Sequence, residues 1–182
     1  MKSVELEWRL IYSIVVAGKS ARFANRVVRN LRGFVPFLTS PVEFLSVNPY
    51  VLKECKTGRY FVLNSALLYL REDMHSFTLK ERLDLRRCNP EKLEKIPGVG
   101  PKTARFFIAW TRPNARVAVL DRHVLRWLRE NGYPDAPKKT PTGKQYLELE
   151  RAFLKEAKKR GKTPRELDLE IWSAAATAPN IA

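Results

Sequence analysis

Leu93-Glu94-Lys95-Ile96-Pro97-Gly98-Val99-Gly100-Pro101-Lys102-Thr103-Ala104 is the stretch that decides how this chain is read. Asn89-Pro90 before it is a helix start, Pro97-Gly98 a helix stop, and Gly100-Pro101 a second start that should run to about Trp110. Residues of about 89–110 are therefore expected to form two short helices joined by a tight turn. Gly98 and Gly100 are expected to supply positive φ and to bring backbone amides close to a ligand. The second helix adds unpaired N–H groups and the positive end of its dipole, a combination suited to phosphate. Ile96 and Val99 are expected to pin the turn to its helices. The pattern is that of a helix-hairpin-helix.

The rest of the chain reads as helix. Glu5–Val16 and Ala21–Leu31 carry apolar residues at helical spacing, and Phe61–Leu70 is strongly apolar. Ser40 to Glu43, Thr142 to Gln145 and Thr163 to Glu166 have the spacing of capping boxes. A further helix should open at Asp121 and close at Asn131-Gly132. Arg116–Leu120 is the one good candidate for a strand, and it is short. The fold class expected is all-α.

Bulk composition narrows the function. With 34 Lys and Arg against 19 Asp and Glu the 182-residue chain has a formal net charge of +15. An excess that large opposes compaction and points to a polyanionic partner, nucleic acid first and an anionic membrane surface second. No apolar run nears the roughly 20 residues that cross a bilayer. The opening MKSVELEWRL has charges where a secretory signal needs an unbroken apolar segment, so an intracellular protein is expected. Only Cys55 and Cys88 are present, which excludes a disulfide framework, a four-cysteine zinc site and a four-cysteine iron–sulfur cluster. Ala17-Gly18-Lys19-Ser20 looks like the end of a nucleotide-binding P-loop, but Ser13 stands where the first glycine is needed and no strand leads in.

Nineteen positions after Lys102 comes Asp121, in the segment Val119-Leu120-Asp121-Arg122-His123. With Gly98-Val99-Gly100-Pro101-Lys102-Thr103-Ala104 this segment resembles the helix-hairpin-helix DNA glycosylases, such as endonuclease III and the 8-oxoguanine glycosylases. The last sixty residues are most similar to the compact archaeal-type 8-oxoguanine glycosylases, in Asp121–Leu125, Tyr146–Glu150 and Glu166–Trp172. The resemblance spans roughly Leu93 to Trp172; the first ninety residues match only in helical layout. Relatives tend to end in a basic tail with a terminal lysine, whereas residues 173–182 here read SAAATAPNIA.

The resemblance implies a two-lobed fold with the active site in the cleft. Residues 28–121 would form a central helical barrel, and 1–27 plus 122–182 the second lobe. It implies a bifunctional glycosylase and abasic-site lyase in base excision repair, acting as a monomer on double-stranded DNA with a damaged base, at the nucleoid of a prokaryotic cytoplasm. Lys102 would be the nucleophile and Asp121 the carboxylate that stabilises charge developing on the sugar. Forming a Schiff base splits one hard step into two. A nucleophilic lysine must shed its proton, which burial or a helix N-terminus favours. Asp121 is also a good N-cap for the helix that follows.

Lys95, Pro97, Gly98, Gly100 and Arg105 would line the phosphate track, with Arg122 and His123 beside it. Asn64 lies where relatives wedge the duplex. Asp168 and Trp172, one helical turn apart, would read and stack a flipped base. No cofactor is required, although family hairpins often hold a monovalent cation (Na+ or K+), here through main-chain oxygens of Glu94, Ile96 and Val99. His75 is too far along the chain from His123 to suggest a side-chain metal site. The alternatives are a glycosylase for a different modified base, such as an oxidised or modified pyrimidine, a monofunctional glycosylase, and a non-catalytic DNA-binding module.

Overall fold

The computed structural model describes residues 3–74 and 83–177. His75 and the last five residues of the chain, part of the tail compared above, lie outside them. Among the described residues ten helices follow in order: α1 (Ser3–Val16), α2 (Ala21–Phe34), α3 (Pro41–Val47), α4 (Tyr50–Glu54), α5 (Tyr60–Met74), α6 (Pro90–Leu93), α7 (Pro101–Thr111), α8 (Arg122–Glu130), α9 (Gly143–Lys159) and α10 (Pro164–Thr177). There is no strand among the described residues. The all-α expectation holds, with α4 an addition.

The chain divides into two compact units, Met1–Val99 and Gly100–Ala182. This division cuts elsewhere than the lobes expected from the sequence, because α1 packs against α2, α3 and α5 inside the first unit. The buried stripe Leu10, Ile11 and Ile14 of α1 is of the kind that drives such packing, as are Leu63, Leu67 and Leu70 at helical spacing on α5. Ser40 caps α3 by accepting from the Glu43 N–H at 3.1 Å. A carboxylate from another helix meets this cap: Glu7, buried on α1, accepts from the Ser40 hydroxyl at 2.6 Å and from the Val42 N–H at 3.2 Å.

The second unit is built around α8, α9 and α10. Leu120, Val124, Leu125 and Leu128 meet Tyr146 and Phe153 of α9 and Leu167 and Ile171 of α10. Burying a side chain of this size contributes roughly 1.5–3 kcal/mol, which fixes the direction of the helices that carry the site. Thr163 and Glu166 form the expected box, the Thr163 N–H donating to Glu166 at 2.8 Å and the Glu166 N–H to Thr163 Oγ1 at 3.2 Å. Thr142 does not: its side chain caps nothing, and its carbonyl accepts from the Tyr146 N–H instead.

Arg116–Leu120 corrects the strand expectation. Among the described residues it pairs with no strand and its end turns back, the Asp121 N–H donating to the Val119 carbonyl at 2.8 Å, while α9 side chains take over the pairing. The Ala118 N–H donates to Glu150 Oε1 at 2.9 Å, the Leu120 N–H to the Tyr146 hydroxyl at 3.2 Å, and that hydroxyl donates to the Ala118 carbonyl at 2.8 Å. Buried backbone groups must be paired somehow. Tyr146 and Glu150, one turn apart, act here as a strand's edge would. They aim the segment that delivers Asp121.

Candidate active site

The turn between α6 and α7 is made as expected at Gly98 and differently at Gly100. Gly98 has φ +78°, and a Cβ there would lie 2.2 Å from Val62 Cγ1 on α5, so both the backbone and the space demand glycine. Gly100 is extended (φ −92°, ψ 179°) and is the N-cap of α7, with open space where a Cβ would go. The Val99 N–H closes the turn onto the Ile96 carbonyl at 3.0 Å, and Ile96 and Val99 are buried, as expected of residues that pin it. Lys95, Pro97, Gly98 and Gly100 are exposed.

Lys102 is the second residue of α7, half-buried in its first turn. Asp121 is 6% exposed and is the N-cap of α8. Its Oδ1 accepts from the His123 N–H at 2.8 Å and the Val124 N–H at 2.9 Å. Its Oδ2 accepts from the Trp172 indole N–H at 2.9 Å. Three hydrogen bonds orient this carboxylate, one of them from α10, fifty-one residues along the chain.

Asp168 stands one turn before Trp172 on α10. Burial pushes its carboxyl up from 3.8 to about 7; the charge of Asp121 adds to the rise and that of Lys102 opposes it. A lysine and two carboxylates thus share one electrostatic neighbourhood in the second unit, and Asp168 Oδ1 is buried without a hydrogen-bond partner. Such a group is a candidate for chemistry or for reading a ligand. Trp172 is not a core residue: it is 49% exposed, and its ring lies 5.1 Å from that of His123. Arg122 is exposed and donates through Nε to His123 Nε2 at 3.1 Å.

One expectation changes. Arg105 was expected on a phosphate track but is 3% exposed. Its Nε donates to both Glu150 oxygens at 3.0 Å, its Nη1 to the Pro101 carbonyl at 3.3 Å, and its guanidinium lies 4.6 Å from the centre of the Tyr146 ring. A charge so enclosed serves the fold, because Glu150 needs a cation once it is taken from water to hold Ala118. Asn64 belongs to α5 in the first unit, half-buried, with its Oδ1 unpartnered. Tyr146 and Glu150 are what sequence reasoning missed. Their spacing of four on a helix was visible, but not what they would face. Among the described residues no group of His, Cys, Asp and Glu could hold a metal ion, and no helix is long and apolar enough to cross a membrane.

Known proteins match the chain over most of its length. A family model described as 8-oxoguanine DNA glycosylase matches residues 4–162. The 8-oxoguanine DNA glycosylase/AP lyase of Methanocaldococcus jannaschii is 30% identical over 171 residues, which cover 91% of this chain and 79% of that protein. The crystal structure of the M. jannaschii 8-oxoguanine glycosylase/lyase in complex with 15mer DNA containing 8-oxoguanine superposes with a TM-score of 0.69 at 26% identity, covering 96% of this chain and 82% of that one. The 8-oxoguanine DNA glycosylase of Thermotoga maritima superposes with a TM-score of 0.67 at 27% identity, over 93% of this chain and 78% of that one. A match over most of the chain in both sequence and backbone settles its kinship: the chain belongs to the helix-hairpin-helix family of 8-oxoguanine DNA glycosylases.

Proposed function

We propose that this chain is a DNA glycosylase and abasic-site lyase that removes 8-oxoguanine from DNA, with Lys102 as nucleophile and Asp121 as the carboxylate beside it. The observation that carries the assignment is the meeting of Lys102, Asp121 and Asp168 in one partly buried neighbourhood.

In this mechanism the neutral Nζ of Lys102 attacks C1′ of the damaged nucleotide. The C1′–N9 bond breaks as the C1′–Nζ bond forms, its electron pair leaves with the base, and the departing base takes a proton from the new ammonium. Positive charge on the sugar is stabilised by Asp121, whose orientation is fixed before substrate arrives. The nitrogen lone pair then opens the sugar ring, O4′ takes a proton, and a Schiff base remains. Loss of a C2′ proton expels the 3′ phosphate. The exposed ring face of Trp172 offers a stacking surface for the flipped base, and Asp168 Oδ1 an acceptor for the N7 hydrogen that distinguishes 8-oxoguanine from guanine.

DNA phosphates would be held by the exposed hairpin residues Lys95, Pro97, Gly98 and Gly100, with Arg122 and His123 beside the base. A monovalent cation at the carbonyls of Glu94, Ile96 and Val99 belongs to the same reading. The Ile96 carbonyl accepts one hydrogen bond, from Val99, and keeps a second lone pair for it. When bound, the ion would supply positive charge for a phosphate. A monomer suffices, because Lys102, Asp121, Asp168 and Trp172 come from one unit of one chain.

Borohydride trapping on duplexes containing 8-oxoguanine, thymine glycol, uracil or a modified cytosine tests the reading. A covalent adduct is expected with 8-oxoguanine and none with Lys102→Ala. An adduct only on a pyrimidine lesion overturns the substrate and leaves the mechanism. Undiminished trapping in Lys102→Ala moves the nucleophile elsewhere. Tight binding of undamaged DNA without excision of any lesion means a DNA-binding module.

A further inference from the structure

Helix α2 carries a feature that the hairpin and the Lys102 site do not use. Its sequence ARFANRVVRNLRGF contains four arginines and no acid. Arg32 is paired, with Glu5 at 3.0 Å. Arg22, Arg26 and Arg29 are exposed and have no ion pair among the described residues. Their spacing of four and three places them on one stripe of the helix, about 10 Å long at 1.5 Å per residue. A merely solvated face usually mixes signs, because like charges at this spacing repel.

The stripe borders a built groove of about 770 Å³, lined by Ser20, Arg22, Phe23, Asn25, Arg26 and Arg29. Phe23 is its floor. Arg26 lies over the ring at 5.4 Å and Lys19 Nζ at 5.7 Å, so the ring gathers two cations. Gly58, with φ +66°, lets the ring sit where it does: a Cβ at that position would come within 3.1 Å of Phe23 Cζ.

We infer that the Lys19–Arg29 face of the first unit is a second nucleic-acid contact surface, taking consecutive phosphates of a DNA strand along the Arg22–Arg26–Arg29 stripe. The inference rests on the proposed function for its partner, since a repeating polyanion matches a stripe of unpaired cations of this length. One strand of duplex DNA presents a phosphate every 3.4 Å of its axis, so the stripe spans about three.

The test is fluorescence anisotropy on an undamaged duplex over a range of KCl concentrations, comparing the wild-type chain with the triple variant Arg22→Gln, Arg26→Gln, Arg29→Gln. Each lost phosphate contact lowers the slope of log affinity against log salt by about 0.9. The variant should therefore lose about 2–3 from the slope while keeping its melting temperature. Single-turnover excision of 8-oxoguanine at saturating enzyme should be unchanged, because α2 supplies nothing to the chemistry. An unchanged slope overturns the surface, whatever the excision rate. So does a slope unchanged on DNA together with lost binding to anionic phospholipid vesicles, which would make the partner a membrane. If the slope falls but the wild-type chain excises no lesion, the surface stands and the glycosylase assignment falls.

Discussion

The indole N–H of Trp172 donates to Oδ2 of Asp121 at 2.9 Å, while Oδ1 of the same carboxylate caps α8. The bonds that stabilise the helix also hold the carboxylate still, so its capping role is compatible with the catalytic one proposed for it. Asp121→Asn keeps an acceptor for the His123 and Val124 N–H groups but turns an amide toward the indole, donor against donor. A loss of about 1–3 kcal/mol in stability is expected. Adding Trp172→Phe should recover most of it, as thermal unfolding will report. Excision should fall at least on the order of a hundredfold in both variants. An Asn variant that melts like the wild type would mean that the indole bond carries no weight.

Asp168 sets a pH dependence. Its carboxyl is raised from 3.8 to about 7, mainly by burial. Between those values the native chain binds a proton that the unfolded chain does not, so stability falls as pH rises through this window and levels off above it. The loss has an upper bound of roughly 4 kcal/mol. Asp168→Asn should remove that slope and melt higher than the wild type above neutral pH. Selectivity should move the other way: below about pH 7 a protonated Asp168 can donate to the N7 of an ordinary guanine. The measurement is excision of 8-oxoguanine in competition with undamaged duplex, and a discrimination ratio flat from acid to alkaline pH removes Asp168 from base reading.

The two hairpin glycines should separate. Gly98→Ala forces a left-handed φ on alanine and drives a methyl into Val62, a cost of about 2–4 kcal/mol that Val62→Ala should partly relieve. Gly100→Ser has neither problem and offers a capping hydroxyl to α7, so its stability should equal or slightly exceed the wild type. It should still weaken DNA binding, since a side chain then stands over the amides proposed to face phosphate. Equal affinity in Gly100→Ser would place the phosphate elsewhere.

Arg105 and Glu150 form a buried pair, and removing one partner strands the other. Arg105→Ala is expected to cost about 3–5 kcal/mol in chemical denaturation. The double variant Arg105→Met, Glu150→Gln removes both charges together, and at permissive temperature its salt dependence of DNA binding should match the wild type. A lower slope in that variant would return Arg105 to the phosphate track.

What the sequence by itself determined lies in short stretches of chain. The caps at Ser40, Asn89, Asp121 and Thr163, the turn at Gly98 and the first-turn position of Lys102 all depend on neighbours within a few residues. Such signals survive without knowledge of the fold, and so does the net charge of +15, which needs only counting. Only the tertiary structure decided which way the longer side chains point. Arg105 reads like any helical cation until Glu150, forty-five residues on, draws it inside. Arg116–Leu120 reads as a strand until α9 supplies a tyrosine and a carboxylate in place of a partner strand. The Trp172–Asp121 bond spans fifty-one residues. Local conformation follows from steric and hydrogen-bonding preferences that each residue carries with it, whereas the partner of a buried polar group is set by which helices bury their apolar faces together.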